Sequence, residues 1–139
     1  MSDSIAVAII DAVVRRVASS PGERADAIEA GLPLLMDCVA PELLTDKMMF
    51  ARFKLAFIRK WQATFPDIPV PDFEGVFDYD SMVKRFVEHL LAYRDRIYVR
   101  LGTSIRSAAE LERALRAPLL DILFSAVLDA LKFKGKVRA

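Results

Sequence analysis

The sequence predicts an all-α fold, a single compact bundle of about five to seven helices with a proline-rich acidic connection. Apolar residues recur at helical spacing over most of the 139 residues, and prolines and glycines interrupt them at intervals. Alternation typical of a strand is confined to residues 132–138. Because this length suits one hydrophobic core, we expect one helical domain over residues 1–131 and a basic C-terminal tail over residues 132–139.

The helices of the first half are predicted from their start and stop signals. Ser20 and Glu23 have the spacing of a capping box, so a second helix is expected to begin at Pro21. Gly31 and Pro33 are expected to end it, since a proline inside a helix loses a hydrogen bond. The predicted segments of this half are residues 4–18, residues 21–30 and two short helical turns, residues 34–39 and 41–44.

An aromatic stripe marks the next helix, Lys47–Thr64, as a central element of the core. Thr45 or Asp46 is placed to cap this helix. Four aromatic residues recur along one side of it at i, i+3, i+7 and i+11, namely Phe50, Phe53, Phe57 and Trp61. A core needs such spacing by itself, and the chain has a single histidine as a possible axial ligand for haem, so no cofactor is predicted.

The connection after this helix is rich in proline and acid. Pro66, Pro69 and Pro71 follow one another closely enough to enforce an extended path and to exclude a helix. A helix over residues 81–101 is expected to follow, with Asp78 or Asp80 as its N-cap.

In the C-terminal third of the sequence, two helices are predicted, over residues 108–116 and 119–132. Pro118 is expected to divide them, because an internal proline costs roughly 3 kcal/mol. The second helix has one polar edge, formed by Asp121, Ser125, Asp129 and Lys132. So apolar a helix is expected to be either the hub of the fold or part of a subunit interface.

Charge is segregated along the chain, although the net charge is only +1. The blocks 23–46, 47–65, 66–80 and 81–103 carry −5, +5, −5 and +3, and the last ten residues carry +4. Such blocks either neutralise each other within one subunit or join the acidic connection of one copy to the basic helix of the next. The acidic residues predicted for a partner-facing role are Asp67, Asp72, Glu74 and Asp78.

A row of basic side chains on the helix over residues 81–101 is the best functional signal in the sequence. At about 100° per residue the members of this basic row fall within a sector of about 60°. They are Arg85, His89, Arg96 and Arg100. The row is either a solvated helix face or a docking face for carboxylates or phosphates, which the guanidinium fork suits. Tyr93 and Tyr98 do not join it, which argues against base stacking.

The basic tail is the second candidate contact. Its cations are Lys132, Lys134, Lys136 and Arg138. They either keep a flexible terminus solvated or reach phosphate, an anionic lipid surface or the acidic loop of a neighbouring subunit.

No catalytic residue and no metal site are predicted. His89 is the only histidine and Cys38 the only cysteine, and they are far apart in sequence, so no catalytic dyad is evident. Cys38 is expected to be a small buried hydrophobic residue. The carboxylates of residues 72–80 suit a hard cation, but their spacing departs from the helix-loop-helix calcium pattern, and nucleotide-binding and zinc-hydrolase motifs are missing.

The expected function is that of a non-catalytic helical interaction or assembly subunit. It would self-associate or dock a protein partner through the basic row and the tail. The alternative is a small helical subunit that binds the nucleic-acid backbone, although the pI of 7.9 is low for that class. The cations of this alternative are Lys47, Lys54, Arg85, Arg96, Arg100 and those of the tail.

A cytoplasmic location is expected for the protein. The first residues include Asp3 and Asp11 and have no positive stretch, unlike a secretory signal, and a lone cysteine suits a reducing compartment. The two most apolar runs are interrupted by aspartates, which cost about 3 kcal/mol each in lipid, so no integral membrane association is expected.

Overall fold

A computed structural model describes residues 2–19, 24–72, 78–101 and 108–135 of the protein, with side chains over 8–19, 24–72, 78–97 and 109–135. The described residues form six helices and no strand, which confirms the predicted all-α class. The helices are α1 (Ser2–Ser19), α2 (Arg24–Thr45), α3 (Lys47–Thr64), α4 (Tyr79–Ala92), α5 (Arg94–Leu101) and α6 (Ala108–Phe133). None of them has the length and hydropathy that crossing a membrane requires.

The bundle is built around α6. Helices α2, α3 and α4 all pack against it, α3 most extensively, while α1 rests on α2. Leu119, Ile122 and Ala126 of α6 are completely buried. Of the two roles expected for this apolar segment, the structure shows that of the hub of the fold.

Helix α3 begins and ends where the sequence predicted. Asp46 is its N-cap, since its carboxylate accepts hydrogen bonds from two amides of the first turn. The completely buried members of the aromatic stripe are Phe53, Phe57 and Trp61. Phe50 is only half-buried. Phe86 of α4 joins the stack, with its ring centroid 5.1 Å from that of Phe57.

The predicted break at Gly31 and Pro33 is wrong, because α2 continues through both residues and through Pro41. Each internal proline costs about 3 kcal/mol, but burial of one leucine-sized side chain contributes about 1.5–3 kcal/mol, and α2 buries several. These include Leu32, Leu35, Met36, Val39 and Leu43. Gly31 instead permits close packing, since a Cβ there would lie 2.6 Å from Cγ1 of Val13 on α1.

Pro118 does not divide the last helix, contrary to the prediction. Helix α6 passes through it without interruption. Leu115 and Leu119, on either side of the proline, are buried in the core. Their burial holds both halves in one helix against the local cost of the missing hydrogen bond.

The single helix predicted over residues 81–101 is two helices, α4 and α5, that meet at Tyr93. The backbone amide of Tyr93 donates to the carbonyl oxygens of Leu90 and Leu91, and this closes α4. Helix α5 begins at the next residue, Arg94. The basic row therefore spans a helix junction and does not follow one straight helix.

Helix α6 continues past residue 131, the predicted boundary between the helical domain and the tail. Lys132 and Phe133 form the end of α6, and the chain then turns at Lys134 and Gly135. Gly135 has a φ of 73°, the left-handed conformation that commonly ends a helix. Part of the predicted tail is therefore an ordered helix end.

Candidate functional site

The basic row lies against the proline-rich connection over residues 65–72, which we call the proline loop. Its prolines have no N–H to donate, while each of its residues keeps a carbonyl oxygen that accepts hydrogen bonds. Side chains from α3, α4 and α5 donate to four of these oxygens. The loop is thus held to the bundle by donors that belong to the helices.

Three of these donors are members of the predicted basic row. Arg96 Nη1 donates to the main-chain oxygen of Asp67 at 2.8 Å. Arg85 Nη1 donates to that of Asp72 at 3.4 Å, a longer contact. The basic row and the predicted acidic residues Asp67 and Asp72 are therefore adjacent. These hydrogen bonds go to main-chain oxygens, so they do not neutralise the charges of the arginines.

The hydrogen bond from His89 is the shortest of the three, and its acceptor lies between the other two along the loop. Nε2 of His89 lies 2.7 Å from the main-chain oxygen of Pro69. Because a carbonyl oxygen can only accept, Nε2 must carry the hydrogen. The ring is half-buried between two aromatic residues, with its centroid 5.9 Å from that of Trp61 and 5.2 Å from that of Tyr93. His89 therefore joins the proline loop to the aromatic core.

Trp61 supplies the fourth donor, which the sequence analysis missed. Its indole Nε1 donates to the buried main-chain oxygen of Ile68 at 3.1 Å. From its position in the aromatic stripe, Trp61 is predicted to belong to the core alone. The signal that could have revealed this bond is chemical. A buried indole N–H needs an acceptor, and a proline-rich segment follows Trp61 closely in the sequence.

Arg96 is also placed by Tyr93, because its guanidinium lies over the tyrosine ring, 5.1 Å from the centroid. An open cavity of about 270 Å³ lies beside it, between the proline loop and α6. The apolar part of its lining includes Phe65, Ile68, Ile97, Leu115 and Pro118. The polar residues of its lining are Thr64, Asp67 and Arg96.

Two members of the predicted charged set lie outside the described residues or side chains. These are Glu74 and the side chain of Arg100. Asp78 is described, and it acts as the N-cap of α4, accepting the Ser81 amide at 2.9 Å. Hydrogen bonds with the Ser81 side chain and amide hold the pKa of Asp78 below its usual range.

The predicted tail does not form one free cluster. Lys134 pairs with Asp46, the N-cap of α3, at 2.6 Å. The hydrogen bond between them lowers the pKa of Asp46 and raises the pKa of Lys134. Lys132 is exposed at the end of α6, and Lys136 and Arg138 lie outside the described residues.

Cations of α2 and α3 form ion pairs with the aspartates of α6. Asp121 pairs with Arg24 at 2.8 Å and with Lys60 at 3.6 Å. Asp129 pairs with Arg52 at 2.9 Å. The polar edge predicted for α6 therefore receives cations from α2 and α3. Asp121 and Asp129 lie outside the charge blocks, and an ion pair that does join two of those blocks is that of Lys134 with Asp46.

Arg116 of α6 links two other elements of the bundle. It pairs with Glu29 at 2.6 Å and lies 3.4 Å from the hydroxyl oxygen of Tyr79. The hydrogen bond to Glu29 raises the pKa of Arg116, while burial raises the pKa of Tyr79. The group joins α2, α4 and α6 through one ion pair and one hydrogen bond.

Cys38 is half-buried on α2, not fully buried as predicted. Burial, and secondarily the charge of Asp37, raises the pKa of its thiol and so disfavours the nucleophilic thiolate. Across the described ranges, no three or more His, Cys, Asp or Glu side chains are grouped to hold a metal ion.

Comparison of the chain with protein-family models, with curated proteins and with solved structures finds no match. Function is therefore inferred from the residues of the chain itself.

Proposed function

We propose that the protein is a non-catalytic helical subunit that works by association with protein, either another copy of itself or a different chain. The partner-facing surface is the basic row together with the proline loop. The observation that carries this proposal is the attachment of the loop by Arg85, His89 and Arg96 through main-chain oxygens. These bonds order an extended acidic segment beside arginines that keep their charge.

Such a surface is suited to binding because it is organised before a partner arrives. Ordering a free loop on binding costs affinity, and a loop already held by four donors avoids much of that cost. A guanidinium has five N–H donors, and the bond from Arg96 to the loop uses only one nitrogen. The remaining donors of Arg96 suit the carboxylates of an acidic protein surface.

The nucleic-acid alternative has less support. The chain has a net charge of only +1, and Lys134 of the tail pairs with Asp46. The ring of Tyr93, the aromatic residue nearest the row, already contacts His89 and Arg96. Single-strand binding usually requires aromatic rings on which bases can stack.

The test compares two neutralised double variants. Arg85→Gln with Arg96→Gln removes the charge of the row but keeps an amide donor toward the loop. Lys84→Gln with Arg94→Gln removes the same charge from exposed positions of the same two helices. Fluorescence anisotropy would measure the binding of a labelled polyglutamate chain and of a labelled DNA duplex to each protein, over a range of salt concentrations.

We expect polyglutamate to bind the native protein and to bind the row variant about tenfold more weakly, with the control variant unchanged. Tighter binding to DNA, with a steep dependence on salt, would favour the alternative function. Equal binding of polyglutamate by the two double variants would contradict the assignment of the row as the contact surface.

We also propose the cytoplasm as the location, because the lone Cys38 has no second cysteine in the chain with which to form a disulfide.

A further inference from the structure

The outer side of α2 combines acids with exposed leucines. At about 100° per residue, four residues fall in a sector about 80° wide, which we call the α2 face. They are Asp26, Leu34, Asp37 and Leu44, and all four are exposed. Leu34 is 50% and Leu44 63% exposed. The helix has no basic residue after Arg24, so this face is both apolar and acidic.

The outer side of α3 has the opposite charge with the same apolar character. Its residues fall in a sector about 60° wide, which we call the α3 face. They are Met48, Arg52, Leu55 and Arg59. Met48 is 65% and Leu55 41% exposed, and α3 contains no acidic residue. A groove of about 360 Å³ between α3 and α6 runs beside Leu55 and Arg59.

These two faces hold most of the exposed apolar surface in the described part of the chain. Among the described residues, the large apolar side chains with high exposure are Leu34, Leu44, Met48, Leu55 and Phe133. The ring of Phe133 lies beneath the guanidinium of Arg52, 5.6 Å away. The other four lie on the α2 and α3 faces, two on each. Single exposed leucines are ordinary, but pairs set among charges of one sign mark a contact surface.

The charges of the two faces are only partly used within the chain. Arg52 pairs with Asp129. Asp26, Asp37 and Arg59 form no ion pair with any other residue that the structure describes. The α2 face therefore retains negative charge and the α3 face retains positive charge.

We infer that the α2 face of one copy of the protein docks on the α3 face of a second copy. Leu34 and Leu44 would enter the groove beside Leu55, and Asp37 would meet Arg59. Apolar contact supplies the affinity, and the opposite charges fix which helices meet. This inference goes beyond the proposed function, because it names a second copy as the occupant of a surface that lies away from the basic row.

Light scattering and sedimentation would test the contact with single charge reversals at Asp37 and Arg59. The native protein is expected to form a dimer or a larger assembly whose fraction rises with protein concentration. Asp37→Arg and Arg59→Glu are each expected to weaken the association at least about tenfold, because each brings like charges together. Mixing the two variants is expected to restore association, since the reversed α2 face of one then meets the reversed α3 face of the other.

Matched controls are Glu88→Arg and Lys84→Glu, which make the same charge changes at exposed positions on α4. Circular dichroism and thermal melting of every variant would show that the fold is retained. The controls are expected to associate as the native protein does.

A native protein that stays monomeric at all concentrations would overturn the inference, and binding of an acidic helical peptide that depends on Arg59 would then assign the α3 face to another protein. Reversal variants that assemble as the controls do, or a mixture that regains nothing, would also overturn it. If assembly instead depends on Arg85 and Arg96, this contact is wrong while the proposed function stands.

Discussion

The buried side of α3 and the proline loop that follows it are neighbours in sequence, but they are stabilised by different interactions. Phe53 and Phe57 are completely buried and contact other apolar groups. The loop buries Phe65 and Ile68 in the core and is also attached through hydrogen bonds from side chains to its carbonyl oxygens. Trp61 belongs to both regions, since its ring packs in the core and its N–H bonds to the loop.

This difference determines how each region responds to change. Core packing is shared by many contacts, so loss of one large side chain affects the stability of the whole fold. The loop is held by four side-chain donors, most of them at the surface, so loss of one donor is expected to loosen the loop while the helices stay folded.

The largest effect is expected from Phe57→Ala. Phe57 contacts the rings of Phe53, Trp61 and Phe86 and is completely buried, so truncation leaves a cavity at the centre of the stack. The free energy of unfolding should fall by about 3–5 kcal/mol, as measured by urea denaturation. Gln62→Ala, at an exposed position of α3, is the control. A loss below about 1 kcal/mol for Phe57→Ala would show that the stack is not the main stabilising contact.

An intermediate effect is expected from Trp61→Phe, which keeps an aromatic ring but removes the indole donor. The buried oxygen of Ile68 then loses its partner, which should lower the free energy of unfolding by about 1–3 kcal/mol. The same variant should also speed hydrogen exchange at the Ile68 amide, which bonds to the Phe65 oxygen. A change in stability without a change in the exchange rate at the Ile68 amide would show that Trp61 does not hold the loop.

A local effect is expected from His89→Phe, which keeps ring contacts with Trp61 and Tyr93 but removes the bond to Pro69. Global stability should change by no more than about 1 kcal/mol. Exchange at the Ile68 amide should nevertheless accelerate, because the loop opens without unfolding of the helices. Glu88→Gln, on the same helix, should leave that exchange rate at its native value.

The smallest effect is expected from the ion pair between Asp46 and Lys134, which lies outside both regions. The folded pKa of Asp46 is lowered, mainly by the bond to Lys134. Its stabilisation is therefore complete above the unfolded pKa of about 4 and is lost as the pH falls through the lower folded value. Asp46→Asn keeps a good helix cap but cannot titrate.

Urea midpoints measured from neutral to acidic pH would check this sign. Below about pH 4 the native protein should lose stability more steeply than Asp46→Asn. Parallel curves for the two proteins would mean that this carboxylate contributes nothing to the acid sensitivity of the fold.

The same contrast explains how much could be predicted from sequence. The α3 helix was predictable to its ends, because Asp46 gives a cap and the aromatic residues give a period. Helix α2 was not, because Pro33 and Pro41 are local signals, whereas the burial that outweighs them comes from α1 and α6. Dividing α2 also concealed the α2 face, whose residues align only along an unbroken helix.

The candidate site was predictable only in part. Spacing identified Arg85, His89 and Arg96 as one row, and the structure places all three against the proline loop. Their acceptors are main-chain oxygens, which every residue has and which therefore leave no mark in the sequence. The role of Trp61 as a fourth donor was missed because its position in the aromatic stripe already accounted for it.

The position of α6 along the chain has a consequence for synthesis on the ribosome. Helices α2, α3 and α4 precede α6 and all pack against it. Until residues 108–133 emerge, the large rings of α3 lack their main partner and are open to chaperones or to neighbouring nascent chains. Final consolidation of the bundle is therefore expected to wait for the release of α6, while α1 and α2 can pair earlier.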